Sequence, residues 1–196
     1  KINDRIAWGV GLNNPFGLVS EWDSPRIPRY SQRSELTTYL LNPNIAVKLG
    51  NYWSVAFGAD YIATQVNEFS FVAVPNTSIT ANLTGEGDAW GYNFALQFKN
   101  KYFSIAGQYR SELNNRIDGK ITVSQPLSFL SSPATTYVDL PGQTMLGMAW
   151  TGKRVDVEVG AYYTQWNYFK SLDVTFTNPA TPPVNLTENW EGTWSW

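Results

Sequence analysis

From Trp90 to Phe98, every second residue of "GDAWGYNFALQF" is large and apolar: Trp90, Tyr92, Phe94, Leu96 and Phe98. The residues between are Gly91, Asn93, Ala95 and Gln97. A period of two defines a β-strand with two unlike faces. Seven more stretches share it. "RIAWGVGL" sets Ile6, Trp8, Val10 and Leu12 against Ala7, Gly9 and Gly11. "YLLNPNIAVKL", "WSVAFGADY", "FSIAGQYRSE", "QTMLGMAW" and "VDVEVGAYY" repeat the pattern, and "NWEGTWSW" ends the chain.

The connections alternate in length. Short ones follow Leu49, Phe98 and Trp150, and longer ones are expected at about 13–33, 70–87, 124–140 and 177–188. That is an up-and-down meander with two unlike ends. Symmetric turns predict Leu49 opposite Trp53, Phe98 opposite Phe103, and Trp150 opposite Val155. Apolar then meets apolar along all three hairpins, so each face is continuous across strands.

The faces decide what surrounds the sheet. A soluble sandwich would show Lys, Glu and Thr on its outer face. Here the face opposite the large residues is mostly Gly, Ala, Ser and Asn, with Lys48, Asp60, Arg110, Glu112, Asp156 and Glu158 as isolated charges. Small residues suit a crowded concave wall, and charges of both signs suit pairing across a lumen. On the large-residue face, Tyr52, Trp53, Tyr102, Phe103 and Trp150 crowd the short turns, and Tyr61, Trp90, Tyr109 and Tyr163 mark the far ends. Two aromatic bands around an aliphatic belt match the two interfaces of a bilayer. Charged residues reach only 15 %, as do aromatics, whereas soluble domains carry roughly 25 % charged residues. No apolar run approaches the ~18 residues of a membrane helix, and lipid admits only helices or closed barrels. The expected fold is all-β: an antiparallel up-and-down transmembrane β-barrel with about eight strands.

The chain has no Cys and no His. Thiol nucleophiles, imidazole bases and the commonest metal ligands are therefore missing, and no Ser–carboxylate spacing stands out. No catalysis, metal or other cofactor is expected. The near-balanced charge, −2 overall, gives no reason to expect nucleic acid.

Seven segments, in order along the chain, resemble the FadL-type outer-membrane transporters of long-chain fatty acids and other hydrophobic compounds. They are "NDRIAWGVGLNNPFGLVSEW", "LNPNIAVKLGNYWSVAFGADYI", "LTGEGDAWGYNFAL", "YRSELNNRIDGKI", "LPGQTMLGMAW", "AYYTQWNYFKSL" and "NWEGTWSW". The resemblance implies a barrel of about 14 strands plugged by an N-terminal hatch. On that reading residues 1–196 form one β-barrel domain from the middle of such a barrel, without the hatch; a complete barrel of about eight strands, its lumen filled by side chains, is the other reading. It also implies residence in the outer membrane of a Gram-negative bacterium, a monomer, and contact with the lipid bilayer. The expected ligands are fatty acids or aromatic hydrocarbons, captured by loops and released sideways through the barrel wall. A structural or adhesive barrel without transport is the alternative.

Candidate ligand contacts lie in two apolar connections. One carries Phe69, Phe71, Val74, Ile79 and Leu83, and the other Leu127, Phe129 and Leu130. These residues would either form a capture groove or pack on one another to hold the connections down. A lateral opening is expected around Gly9, Gly11, Asn14 and Pro15, where glycines and a proline weaken the strand. An ordinary strand end entering a proline turn is the other reading. The inner-face charges would meet a ligand carboxylate or pair with each other.

Overall fold

All eight alternating stretches contribute to strands of one antiparallel sheet. The computed structural model describes residues 2–21, 31–74 and 77–196, with backbone alone at 31–32, 69, 71–74 and 77–78. Three strands run the full height: β3 (Ser31–Leu49), β4 (Trp53–Val74) and β5 (Thr77–Lys99). Five further staves are each broken in two. They are β1 (Ile6–Asn13) with β2 (Leu18–Glu21), β6 (Phe103–Arg110) with β7 (Leu113–Val123), and β8 (Ser132–Leu140) with β9 (Gln143–Thr151). The last two are β10 (Asp156–Thr164) with β11 (Ser171–Phe176), and β12 (Val184–Thr187) with β13 (Thr193–Ser195). The expected eight staves are present.

Their pairing is that of a meander. The first stave pairs with β3, β3 with β4, and β4 with β5. Strand β5 pairs with β6 near the short turns and with β7 above. The remaining staves follow in sequence, ending with β13 on β10 and β12 on β11. The sheet curls, because Phe16 of the first stave meets Trp166 of the seventh, ring centroids 6.2 Å apart.

The outer face of the lower half is an apolar belt. Trp8 (62 % exposed), Leu12 (73 %), Trp90 (69 %) and Val159 (64 %) all point outward. Aromatic pairs tie the rungs: Trp53 to Phe98 at 5.1 Å, Phe57 to Phe94 at 5.0 Å and Tyr61 to Trp90 at 4.9 Å.

One register matches the symmetric-turn expectation, Leu49 opposite Trp53. The other two are displaced by two residues: Phe98 pairs with Ile105, and Trp150 with Val157. At the first displaced turn, Asn100 accepts the backbone N–H groups of Tyr102 and Phe103 through Oδ1, at 2.9 and 2.8 Å. That side-chain turn favours a four-residue loop over a two-residue one. A shift of two leaves every side chain on its face, so the belt survives.

The long connections differ more. The 70–87 region is not a loop: β4 and β5 stay paired up to Val74 opposite Thr77. Strands also occupy part of 13–33, 124–140 and 177–188. Above Tyr39, Tyr61 and Trp90 the two faces exchange chemistry. On β5, Thr80, Asn82, Thr84, Glu86 and Asp88 continue the outward row, while Ile79, Ala81, Leu83 and Ala89 continue the inward one. The upper half is therefore polar outside and apolar inside. Gly85 and Gly119 face each other there, and a Cβ on Gly119 would stand 2.0 Å from the Thr84 carbonyl oxygen.

Candidate functional site

At the level where the faces exchange, inward side chains fill the lumen. Leu40, Ile62, Ala89, Leu113, Ile117, Val138 and Leu140 form one buried cluster, joined by Phe16, Val66, Phe169 and Leu172. Just below lies a polar layer. Asp60, fully buried, sits 3.2 Å from Arg110 Nε and accepts the Asn42 amide at 2.8 Å and the Asn93 amide at 3.2 Å. The Arg110 contact is a charge pair without hydrogen-bond alignment, since neither Asp60 Oδ2 nor Arg110 Nε has a directed partner. Lower still, Ser54, Ala56, Gln97, Ser104 and Ala106 line a small-residue hollow of about 650 Å³.

Above the cluster is an apolar cavity of about 750 Å³. It takes Leu36 from β3, Val66 from β4, Leu83 from β5, Ile121 from β7 and Val138 from β8. Its aromatic side comes from Phe16, Trp166, Phe169 and Trp190. Trp190 stands edge-on to Trp166 at 5.2 Å and is tilted over Phe169 at 4.8 Å. These rings lie in the breaks of three staves, which is why the interruptions matter. A chain segment released from the ladder turns its ring into the lumen rather than outward.

The break in the first stave opens onto this cavity, because Pro15, Phe16 and Gly17 line it. The ladder between β1 and β3 is continuous through Gly9, Gly11 and Asn13. The expected weakness at the two glycines is therefore absent: Gly9 pairs with Asn44 and Gly11 with Asn42, without a bulge. Pairing stops at Asn14 and Pro15 and resumes at Leu18 opposite Leu36. One residue of β3 stitches the interruption. Buried Thr38 donates through Oγ1 to Asn14 Oδ1 at 3.1 Å, accepts the Phe16 N–H at 3.2 Å and lies against the Phe16 carbonyl oxygen.

The candidate ligand contacts separate. Leu83 lines the cavity. Ile79 is fully buried with Ala81 and Val123, and Leu127 and Leu130 pack against that group. Those three hold the connections down. Phe129 is exposed, its backbone carbonyl accepting the Asn178 amide at 2.7 Å. The side chains of Phe69, Phe71 and Val74 lie outside the described residues.

Among the charges, Asp60 and Arg110 pair inside, as lumenal charges do. Glu112 is not on the inner face. It is exposed and accepts the Tyr109 hydroxyl at 3.3 Å. The chain loses its alternation at Ser111, whose N–H and Oγ both bond the Tyr92 backbone, so the residue after it turns outward. Lys48, Asp156 and Glu158 are exposed, with Glu158 bordering the lower hollow. Among the described residues, no group of His, Cys, Asp or Glu could hold a metal ion, and no helix is long and apolar enough to cross a membrane.

The sequence reading missed Phe16, Trp166, Phe169, Trp190 and Glu68 as lining residues. On β5 the signal was present, since "SITANL" alternates as cleanly as "YNFALQ". For Trp166 and Trp190 there was none, because they stand in breaks without a period.

A curled antiparallel sheet with an apolar outer belt, aromatic edges and a lumenal apolar cavity is the wall of an outer-membrane type of β-barrel. The family model for outer membrane protein transport proteins (OMPP1/FadL/TodX) matches residues 1–196. The chain belongs to that family. It is 23 % identical over 217 residues to a long-chain fatty acid transport protein of Escherichia coli O6:H1, covering 87 % of this chain and 48 % of the relative. It thus spans about half the length of that curated relative. Among solved structures, a Pseudomonas aeruginosa FadL homologue superposes with a TM-score of 0.84 at 16 % identity, over 98 % of this chain and 52 % of that one. The Ralstonia pickettii toluene transporter TbuX gives 0.80 at 15 % identity, over 98 % and 60 %. The P. putida toluene transporter TodX gives 0.70 at 13 %, over 99 % and 59 %.

Proposed function

We propose that this chain forms part of an uptake route for hydrophobic compounds across the outer membrane. The apolar cavity holds the ligand, and the break at Asn14 to Gly17 releases it sideways. One observation carries the reading: Pro15, Phe16 and Gly17, where the ladder is interrupted, are themselves cavity wall. A ligand in the cavity therefore lies next to a place where the barrel wall has no backbone pairing to break. The break begins beyond the Asn13–Leu40 pair, at the upper aromatic edge, so a ligand leaving there would reach lipid at its outer rim without passing the polar layer around Asp60. The short turns would face the periplasm and the β4–β5 hairpin the exterior. The relatives' names point to fatty acids and toluene as the range of compounds to test.

The test is uptake by cells expressing the full-length gene. Trp166→Arg puts a charge into the cavity and should abolish uptake while the barrel still folds, read by heat-modifiable gel mobility. Normal uptake by the folded variant would remove the cavity from the route. A folded wild-type protein that takes up no hydrophobic compound would favour the structural or adhesive barrel.

A further inference from the structure

The cavity wall contains one feature that an apolar site does not need. Glu68 on β4 follows Ile62, Thr64 and Val66 along the inward row, opposite Leu83 of β5 and Ser34 of β3, and it lines the cavity. Among the described residues no hydrogen bond or ion pair holds its carboxylate. Among the described residues the cavity is lined by no lysine or arginine. Other carboxylates at its border are engaged elsewhere. Glu35 pairs with Arg33 at 2.9 Å on the outward row of β3, and Asp139 of β8 accepts the Asn114 amide. The facing positions of β5 and β7, Leu83 and Ile121, are uncharged. Burial pushes the Glu68 carboxyl above the usual glutamate range, because partial desolvation disfavours its charged form.

We propose that Glu68 is a specificity-determining residue that makes the cavity take uncharged hydrophobic compounds and turn away carboxylates. The inference rests on the cavity being the ligand site. A carboxylate ligand entering it loses its hydration, finds no cation among the described lining residues, and meets a second negative charge. An alcohol or hydrocarbon of equal length loses little hydration, and a hydroxyl can donate to Glu68.

The test uses the full-length protein in detergent, with ω-brominated undecanol and the matching undecanoate as quenchers of the cavity tryptophans Trp166 and Trp190. Mildly alkaline pH keeps the undecanoate ionised. Wild type should favour the alcohol by about tenfold, the size expected for two like charges on the order of 10 Å apart at an effective dielectric of about 20. Glu68→Gln, whose amide oxygen still accepts a hydroxyl, should strengthen undecanoate binding several-fold and so narrow the alcohol-to-carboxylate ratio. Ser34→Lys, which places a cation opposite Glu68, should do the same if the first variant fails to fold. An alcohol-to-carboxylate ratio that neither variant moves overturns the role of Glu68. Quenching by neither compound in folded wild type overturns the cavity itself as the ligand site.

Discussion

Replacing Phe94 with arginine tests the lipid belt. Phe94 lies midway between Trp90 and Phe98 on the outward row, and its rung partners are Phe57 and Tyr109. Eight residues at ~3.4 Å rise, tilted by roughly 40°, give a belt about 21 Å tall, close to the ~25 Å of known barrels. Phe94 then sits about 10 Å from either aromatic edge, near the bilayer midplane. A guanidinium there should cost about 2–4 kcal/mol. Part of any loss would be the ring contact with Phe57 at 5.0 Å, and Phe94→Ala measures that part, about 0.5–1.5 kcal/mol. Glu86→Arg supplies the second control. It lies on the same outward row but above Trp90, where an arginine should cost no more than about 1 kcal/mol. Guanidinium unfolding of the full-length protein in lipid vesicles reads all three. The reasoning fails if Phe94→Arg is no worse than Phe94→Ala, or if Glu86→Arg costs as much as Phe94→Arg.

Three other perturbations address the interior. Arg110→Gln strands the buried Asp60 charge and should destabilise the fold by about 3–5 kcal/mol, whereas adding Asp60→Asn should recover much of that loss; guanidinium midpoints would show it. Thr38→Val removes the hydroxyl that stitches the break, so the Phe16 amide should exchange its hydrogen markedly faster while Gly11 and Leu12 stay protected. Glu68 has a folded pKa raised by burial, so as pH rises the unfolded chain releases that proton first. Its contribution is most favourable at low pH and is lost as pH climbs from the ordinary glutamate value through the raised folded one. Glu68→Gln should flatten that part of the stability profile, measured by unfolding at a series of pH values.

The lower half of this fold is legible in the sequence because lipid imposes a strict rule. Outward residues must be apolar, the small ones must point in, and a period of two survives turns of different length. Even the two displaced hairpins kept Phe98 and Trp150 on the right side. Above Trp90 the rule inverts. A reading that equates apolar with outward then meets Ile79 and Leu83 on the wrong side and takes the segment for a greasy loop. The breaks hide more. Inward positions are even-numbered on β6, as at Arg110, and odd-numbered on β7, as at Asn115, because the Ser111–Glu112 step absorbs one residue of phase. Carrying the β6 count through that step is what placed Glu112 in the lumen. Trp166 and Trp190 reach the cavity from segments without any ladder, and only tertiary packing places them.

The unbroken β4–β5 hairpin also dictates how its length can vary between related chains. Two residues added on each side of the tip between Val74 and Thr77 extend the ladder and keep every side chain on its side. One residue added inside β4 between Tyr61 and the tip must reverse the faces of all that follow, setting Glu68 among the solvent-facing threonines and its neighbours inside, unless a bulge takes up the step. Insertions and deletions along this hairpin should therefore come in even numbers, and odd ones should cluster at the stave breaks, where phase is already lost.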